Sequence, residues 1–599
     1  MQREIYTVRM LLVGAVIFGA FFSLGMHYHH IQVERHEELY NKAQARYTES
    51  EKTQGERGRI YDRNGHLLVG NLACRDVLAE PARFTPRRLE VIALLDAYLD
   101  VDRDVLVKRF SRALNPELNV VEVVVQRHVG IEKAQKLAEI LERKNLLKGF
   151  RFVESTRRYY PKGELLANTL GFLNAEQEGA CGIERLMDAQ LQPSETQITY
   201  EVGRLGRQLN ALRRPLKRST DGADIRLTIS EPIQQIVEEE LERVGRKHEP
   251  NASFAVMMDP DTGQVMALAQ RPTFNPNKRR NMSPQRWQNR AVTGGFEPGS
   301  IMKPLSIAGA LDYGTVSVKD RYDCEQGAWY YAGEQLHDAH QFGELYVPEI
   351  IQKSSNIGTA KIAVQMGDRR LYQTLRRFGF GQTTGIGFRN EAEGILRPPR
   401  RWSKIAVTRL AIGQGVLVTP LQLVQAYAAI ANDGLMMEPQ IIRGVEDSAG
   451  EIRQKPKPKV KQRAIRKASA KVMKNIMKLV TQEGGTAPEA SIPGYEVAGK
   501  TGTAQKVIDG KYSHEHYVSS FIGFVPAEDA EFVLLVTVDD PSKEGYYASQ
   551  VAAPAFQRIA RKTLRYLQVS PEIAQKTESY GEDSEEVAHA AGISVSDVR

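Results

Sequence analysis

Three stretches of the 599-residue chain hold side chains that could make and break an acyl bond. In Pro298-Gly299-Ser300-Ile301-Met302-Lys303-Pro304 a hydroxyl and an amine stand three residues apart, which puts them on one face of a helix. Ser300 would be the nucleophile and Lys303 its base, with the helix amino terminus favouring negative charge on the oxygen. Lysine keeps its proton at neutral pH, so the pair works only where burial and a second cation lower its pKa. By itself the spacing means little, since a serine followed three places later by lysine should arise by chance about twice in a chain this long. A second stretch, Lys353-Ser354-Ser355-Asn356, offers a hydroxyl that could relay a proton and an amide that could bind a peptide, although a helix cap is its plainer reading alone. The third is Gly499-Lys500-Thr501-Gly502-Thr503. Lys500 would supply a fixed positive charge and Thr501 and Thr503 hydroxyls. Gly502 would let a substrate backbone come close, as recognition at a strand edge requires.

These side chains need elements to position them. Pro298 and Gly299, followed by apolar Ile301, Leu305, Ala308 and Leu311, predict a helix that Gly314 can end. Around Ser354 the pattern predicts a helix ending, a polar corner and a new helix over 357–366. Apolar runs at 252–258 and 264–269 flank Asp259-Pro260-Asp261-Thr262-Gly263 and predict a hairpin. Runs at 518–525 and 531–538 add two more strands, and 494–504 enters the same sheet. That sheet draws strands from both ends of a domain beginning near Asp224, with a mainly helical stretch, 300–440, between them. Upstream, 55–225 reads as an irregular α+β module with a hairpin at Asp62–Gly65, helices over 87–99 and 131–143, and a β-rich run over 119–126.

Residues 10–26 form an uncharged apolar run preceded by Arg3 and Arg9, which predicts a membrane helix over 10–28 with a cytoplasmic tail, 1–9, and everything downstream exported. No A-x-A-like cleavage site follows, so an anchor is favoured over a signal peptide. Residues 29–54 are charged and helix-compatible, a stalk. His27, His29, His30 and His36 lack acidic or cysteine partners in a ligand pattern and read as an interfacial collar rather than a metal site. Cys74, Cys181 and Cys324 are far apart and odd in number, supporting neither zinc nor a disulfide framework. Lys+Arg 81 against Asp+Glu 73 leaves a net charge of +8, too modest to imply nucleic acid. Arg204, Arg207, Arg213, Arg214, Lys217 and Arg218 form a basic linker face, and 569–599 is polar and acidic, a disordered tail.

Taken jointly, Ser300-x-x-Lys303, Ser354-x-Asn356 and Lys500-Thr501-Gly502 resemble the penicillin-binding protein and serine β-lactamase superfamily. The segments Arg57–Gly65, Gly179–Arg185 and Gly413–Gln422 extend the likeness to class B penicillin-binding proteins along nearly the whole exported chain. Asn356, where elongation-type relatives commonly carry aspartate, and an end soon after the catalytic domain make it most similar to the division-specific, FtsI-type enzymes. Departures are Ser230, where the family usually has aspartate, Ile301-Met302 within the first motif, and Cys181. The resemblance implies an α+β fold, with a pedestal (dimerisation) domain over 55–225 and a β-lactamase-like transpeptidase domain over 226–568, its antiparallel sheet flanked by helices. It implies a D,D-transpeptidase that cross-links stem peptides ending in D-Ala-D-Ala and is acylated by β-lactams. Ser300 would be the nucleophile, Lys303 the base held neutral by Lys500, and Ser354 the relay. Asn356, Thr501, Gly502 and Thr503 would bind substrate, and the backbone N–H groups of Ser300 and Thr503 the oxyanion. No metal or organic cofactor is called for. A lipid-II polymerase and other divisome proteins are the implied membrane partners. An elongation-type transpeptidase, a D,D-carboxypeptidase or β-lactamase, and a non-catalytic penicillin sensor or scaffold are the alternatives.

Overall fold

A computed structural model describes residues 2–118, 120–201, 214–215, 221–279, 283–447 and 449–572. The chain divides into one unit of Met1–Arg57 with Pro193–Gly222 and a second made of Gly58–Gln192 with Ala223–Arg599. In the first, Gln2–His29 is a single helix, and the apolar stretch from Thr7 is long enough to cross a bilayer, with none of that window buried in the protein. The stalk expected over 29–54 is helical only in part. His36–Tyr47 is a helix, whereas Thr48–Gln54 is a strand paired antiparallel with Glu195–Glu201. Of the basic linker residues, Arg214 lies in the short strand Arg214–Pro215; the others fall outside the described residues, as does the acidic tail from residue 573.

The second unit holds two large sheets and three two-stranded ones. Five strands run in the order Val265–Arg271, Ala252–Met258, Phe532–Asp539, Lys511–Val525, Ala498–Ile508, each antiparallel to its neighbour. The two ends of the catalytic segment thus meet in one sheet, and Ala498–Ile508 is left on its edge. Side chains alternate across a strand. Thr501 stands opposite Phe521, whose ring meets Phe556 of helix Ala552–Leu567 edge-on with centroids 4.7 Å apart. Lys500, one residue earlier, therefore faces the other way, toward the helices of the 300–440 segment. Those include Lys303–Asp312 and Pro420–Ala431, both almost wholly buried. Two small hairpin-like pairs also sit in this stretch, Arg321–Asp323 with Glu344–Tyr346 and Ala328–Tyr331 with Glu334–His337.

The other sheet has seven strands. Ile60–Tyr61 and Leu67–Ala79 form the predicted hairpin around Asp62, and Val123–Gly130 and Phe150–Tyr159 flank the longer strand. The β-rich run begins at Val123 rather than 119, and a helix over Arg103–Ala113 joins the two that the periodicity shows. Ile60–Tyr61 pairs parallel with Asp224–Leu227, which pairs with Ile442–Glu446. One sheet thereby spans residues on both sides of the 225/226 boundary. The helices over 88–99, 103–113 and 131–143 close a separate apolar core around Phe84, Leu95, Phe110 and Leu137.

Candidate active site

Ser300 sits in the turn of 3-10 helix Gly299–Met302 that runs directly into helix Lys303–Asp312. Several bonds fix this turn. Gly299 N donates to Gly413 O at 3.1 Å, and Tyr427, fully buried, donates its hydroxyl to Ile301 O at 2.7 Å. Gly299 and Gly413 both have positive φ, and a Cβ on Gly413 would lie 2.2 Å from Gly299 O, so only glycine fits that crossing. The edge strand lies against the same turn: a Cβ on Gly502 would meet Ile301 Cγ2 at 3.0 Å and Pro298 O at 3.1 Å. Gly502 thus lets the strand approach the Ser300 turn.

The corner follows helix Val347–Gln352 and precedes helix Asn356–Met366. Ser354 is held at φ 61, a left-handed conformation that costs a non-glycine residue about 1–3 kcal/mol. Its hydroxyl is met from both sides. Lys500 Nζ donates to Ser354 Oγ at 2.9 Å, and Lys303 Nζ lies 3.2 Å from the same oxygen and donates to Ser354 O at 2.5 Å. Three residues separated by 197 positions of sequence converge on one oxygen.

Both lysines are 0% exposed. Burial pushes Lys303 down to about 7, against the pull of nearby Asp338, which favours its charge. Burial, together with the charge of Lys303, pushes Lys500 well below the ordinary lysine range. Burial therefore favours the neutral form of both amines, while the Asp338 carboxylate favours the charged form of Lys303.

The other expected residues are placed as follows. Thr501 Oγ1 is 2.9 Å from Thr486 Oγ1 and 3.3 Å from Lys500 Nζ. Thr503 Oγ1 accepts from Ala548 N at 3.1 Å, tethering the loop that carries the stacked rings of Tyr546 and Tyr547. Asn356 Nδ2 donates to His337 O at 2.7 Å, which leaves its Oδ1 as an acceptor.

Asp338 and Thr486 escaped the sequence reading, which took Cys324 only as one of three unpaired cysteines. Asp338 follows the strand Glu334–His337 and accepts from Ser355 Oγ at 2.7 Å, from Ile357 N at 3.0 Å and from Asn356 N. A carboxylate at the amino end of helix Asn356–Met366 satisfies open N–H groups and complements the helix dipole. Cys324, a free and fully buried thiol, packs behind Ser355 at 3.3 Å from its Oγ. A lone Asp between two histidines carries no motif that would have revealed it. Among the described residues no group of three or more His, Cys, Asp and Glu could hold a metal ion.

Comparison with known proteins is decided by two matches. The description "Penicillin binding protein transpeptidase domain" matches residues 253–561, and "Penicillin-binding Protein dimerisation domain" matches 52–227. The chain belongs to the class B penicillin-binding proteins. Within this family it is 30% identical over 575 residues to "Probable peptidoglycan D,D-transpeptidase PenA" of Neisseria meningitidis serogroup A, covering 94% of this chain and 93% of that one. It is 30% identical over 573 residues to "Peptidoglycan D,D-transpeptidase FtsI" of Escherichia coli K12, covering 94% and 92%. "Stage V sporulation protein D" of Bacillus subtilis is 31% identical over 602 residues, covering 99% and 92%. The crystal structure of penicillin binding protein 3 from Mycobacterium tuberculosis, complexed with aztreonam, superposes with a TM-score of 0.67 at 25% identity, covering 87% of this chain and 98% of that one. The α+β architecture is therefore that of a class B penicillin-binding protein.

Proposed function

We propose that this penicillin-binding protein is a peptidoglycan D,D-transpeptidase acting through an acyl-enzyme on Ser300. The observation that carries the reading is the Ser354 hydroxyl held between the Nζ atoms of Lys303 and Lys500, beside the turn that bears Ser300. Ser300 Oγ attacks the penultimate D-Ala carbonyl and gives its proton to the neutral amine of Lys303. The oxyanion is stabilised by the backbone N–H groups of Ser300 and of Thr503 on the edge strand, each worth about 3 kcal/mol at such sites. As the tetrahedral intermediate collapses, the C–N bond breaks and the proton passes through Ser354 Oγ to the departing D-Ala amine. The acceptor amine of a second stem peptide attacks the ester, its proton returns to Ser300 Oγ by the same path, and a cross-link results.

Asn356 Oδ1 takes the donor's amide N–H. Lys500, Thr501 and Thr503 hold the terminal carboxylate, and Gly502 leaves room for the donor backbone along the strand edge. β-Lactams, whose strained amide imitates the donor, acylate the same oxygen. Labelled penicillin should form a covalent adduct with the wild-type protein and none with Ser300→Ala; an adduct on the variant would refute the assignment.

The basic residues Arg3 and Arg9 ahead of the apolar helix favour a cytoplasmic amino terminus, a single-pass inner-membrane anchor and a periplasmic catalytic domain. We place the enzyme in septal wall synthesis, beside a lipid-II polymerase and other divisome proteins met through the membrane helix and the pedestal. Asn356 in the corner and full-length similarity to FtsI support this. A tagged copy should collect at midcell in dividing cells; side-wall signal would overturn the division role and leave the chemistry untouched.

A further inference from the structure

The stretch Arg397-Pro398-Pro399-Arg400-Arg401-Trp402-Ser403-Lys404 carries four cations in eight residues and no acid. Its backbone is rigid. Two prolines of fixed φ lead into the 3-10 turn Pro399–Arg401, where Arg401 N and Trp402 N donate to Pro398 O and Pro399 O at 2.9 Å each. Trp402 anchors the turn: its indole Nε1 donates to Arg397 O at 2.7 Å, and its half-buried ring meets Tyr372 of helix Asp368–Arg377 edge-on, with centroids 6.3 Å apart. Arg397, Arg400, Arg401 and Lys404 are left exposed, and Arg369, three residues before Tyr372 on the same helix face, adds a fifth exposed cation. Among the described residues none of these five forms an ion pair, whereas nearby Arg409 is held by Glu334 at 3.2 Å. Asp368, which opens the helix, leaves a clear positive excess.

Like charges held together on a preorganised surface repel one another until an anion answers them, and the guanidinium fork suits a carboxylate. Arg397 also lines a cavity of about 690 Å³ shared with Glu297, three residues before Ser300, so the basic turn begins where the candidate site opens. The proposed function, on which this inference rests, brings to that opening a polymer that repeats carboxylate-bearing stem peptides along each strand. We propose that the turn is a docking face for the peptidoglycan strand that carries the donor. Arg400, Arg401 and Lys404 take carboxylates of stem peptides beside the reacting one, and Arg369 extends the track. Docking of this kind raises the effective concentration of donor stems at Ser300 without touching the reacting atoms.

The test uses full-length protein in detergent, first acylated with penicillin so that Ser300 is closed, and purified insoluble peptidoglycan as the probe. Protein that sediments, corrected for a tube without peptidoglycan, gives an apparent Kd. The wild type should bind, and about 0.5 M salt should release it as the screening length shortens. The combined variant Arg400→Ala, Arg401→Ala, Lys404→Ala should bind at least about fivefold more weakly and still take up penicillin at the wild-type rate. Lys133→Ala, Lys136→Ala, Lys455→Ala removes the same charge from other exposed positions and should bind as the wild type does. Peptidoglycan whose carboxylates have been amidated should not be bound. Equal weakening by both combined variants would reduce the patch to net charge, and undiminished binding to the amidated polymer would remove the carboxylates; either result overturns the inference. So does a wild type whose basic turn prefers vesicles of anionic phospholipid to peptidoglycan. A protein that takes up penicillin but fails these binding measurements loses the docking face alone, and one that penicillin does not acylate loses the proposed function.

Discussion

Lys303 can act as a base only in the fraction of molecules where its amine is free, and burial places that titration at about 7. Below it the amine is protonated and Ser300 has no acceptor for its proton; above it the base is present. The rate of Ser300 acylation by labelled penicillin should therefore rise with pH through about 7 and then level. Asp338 sets where that rise falls, because its charge favours the protonated amine. Asp338→Asn removes this pull, so the midpoint should move to lower pH. The same change weakens the acceptor for Ser355 Oγ, Asn356 N and Ile357 N, each left short of a charged partner at a cost of about 1–3 kcal/mol. The plateau should fall with it. A pH profile of acylation for wild type and variant separates the effects, and an unmoved midpoint would remove Asp338 from the proton economy of the site.

The contact between the edge strand and the Ser300 turn is the element-level device that completes the site, and it depends on glycine in graded fashion. In Gly502→Ala the new methyl would stand 3.0 Å from Ile301 Cγ2, which can yield, and 3.1 Å from Pro298 O, which yields less. In Gly413→Ala it would stand 2.2 Å from a backbone oxygen, at φ +82. Penicillin acylation should slow about tenfold in Gly502→Ala, a loss of about 1.4 kcal/mol of transition-state stabilisation. Gly413→Ala should lose acylation almost entirely and lower the thermal midpoint, as paired rate and melting measurements would show. The strands that carry this device were legible because apolar runs such as 252–258 and 532–539 are buried on both faces. The pair Ala328–Tyr331 and Glu334–His337 was not legible. Its sequences, AWYY and EQLH, do not alternate apolar with polar residues, so no period marks it, and Asp338 just beyond it stayed hidden. Thr48–Gln54 (TESEKTQ) is polar throughout, and a strand made by pairing alone leaves no period to read. The three motifs fixed which residues matter; their meeting at the Ser354 hydroxyl and the burial that lowers both amines are products of folding.

At the scale of the molecule, the amino-terminal module and the catalytic segment are joined by more than chain connection. Asp62, in the hairpin turn after Ile60–Tyr61, is fully buried, and its carboxylate accepts from Asn64 N, from His66 N and, across 169 residues, from Glu231 N at 3.0 Å. Glu231 opens the long helix Glu231–His248, whose N-cap residue Ser230 makes no side-chain capping bond. A carboxylate borrowed from the pedestal side thus caps a helix on the catalytic side, where the family more usually has aspartate. Burial would raise the Asp62 pKa, but the three backbone donors outweigh it and hold the carboxyl below its usual range. A depressed carboxylate stabilises the fold above its unfolded pKa, and the contribution is lost as pH falls through the folded value. Asp62→Ala strands three donors at about 1–3 kcal/mol apiece. Its thermal midpoint at neutral pH should drop by several degrees while folded protein still takes up penicillin at Ser300. The gap between wild type and variant should then close on acidification below the ordinary carboxylate pKa, because the protonated wild type loses the same bonds. A gap that stayed constant down to strongly acidic pH would mean that the variant suffers from lost packing, and that the two segments are held together by their shared sheet rather than by this carboxylate.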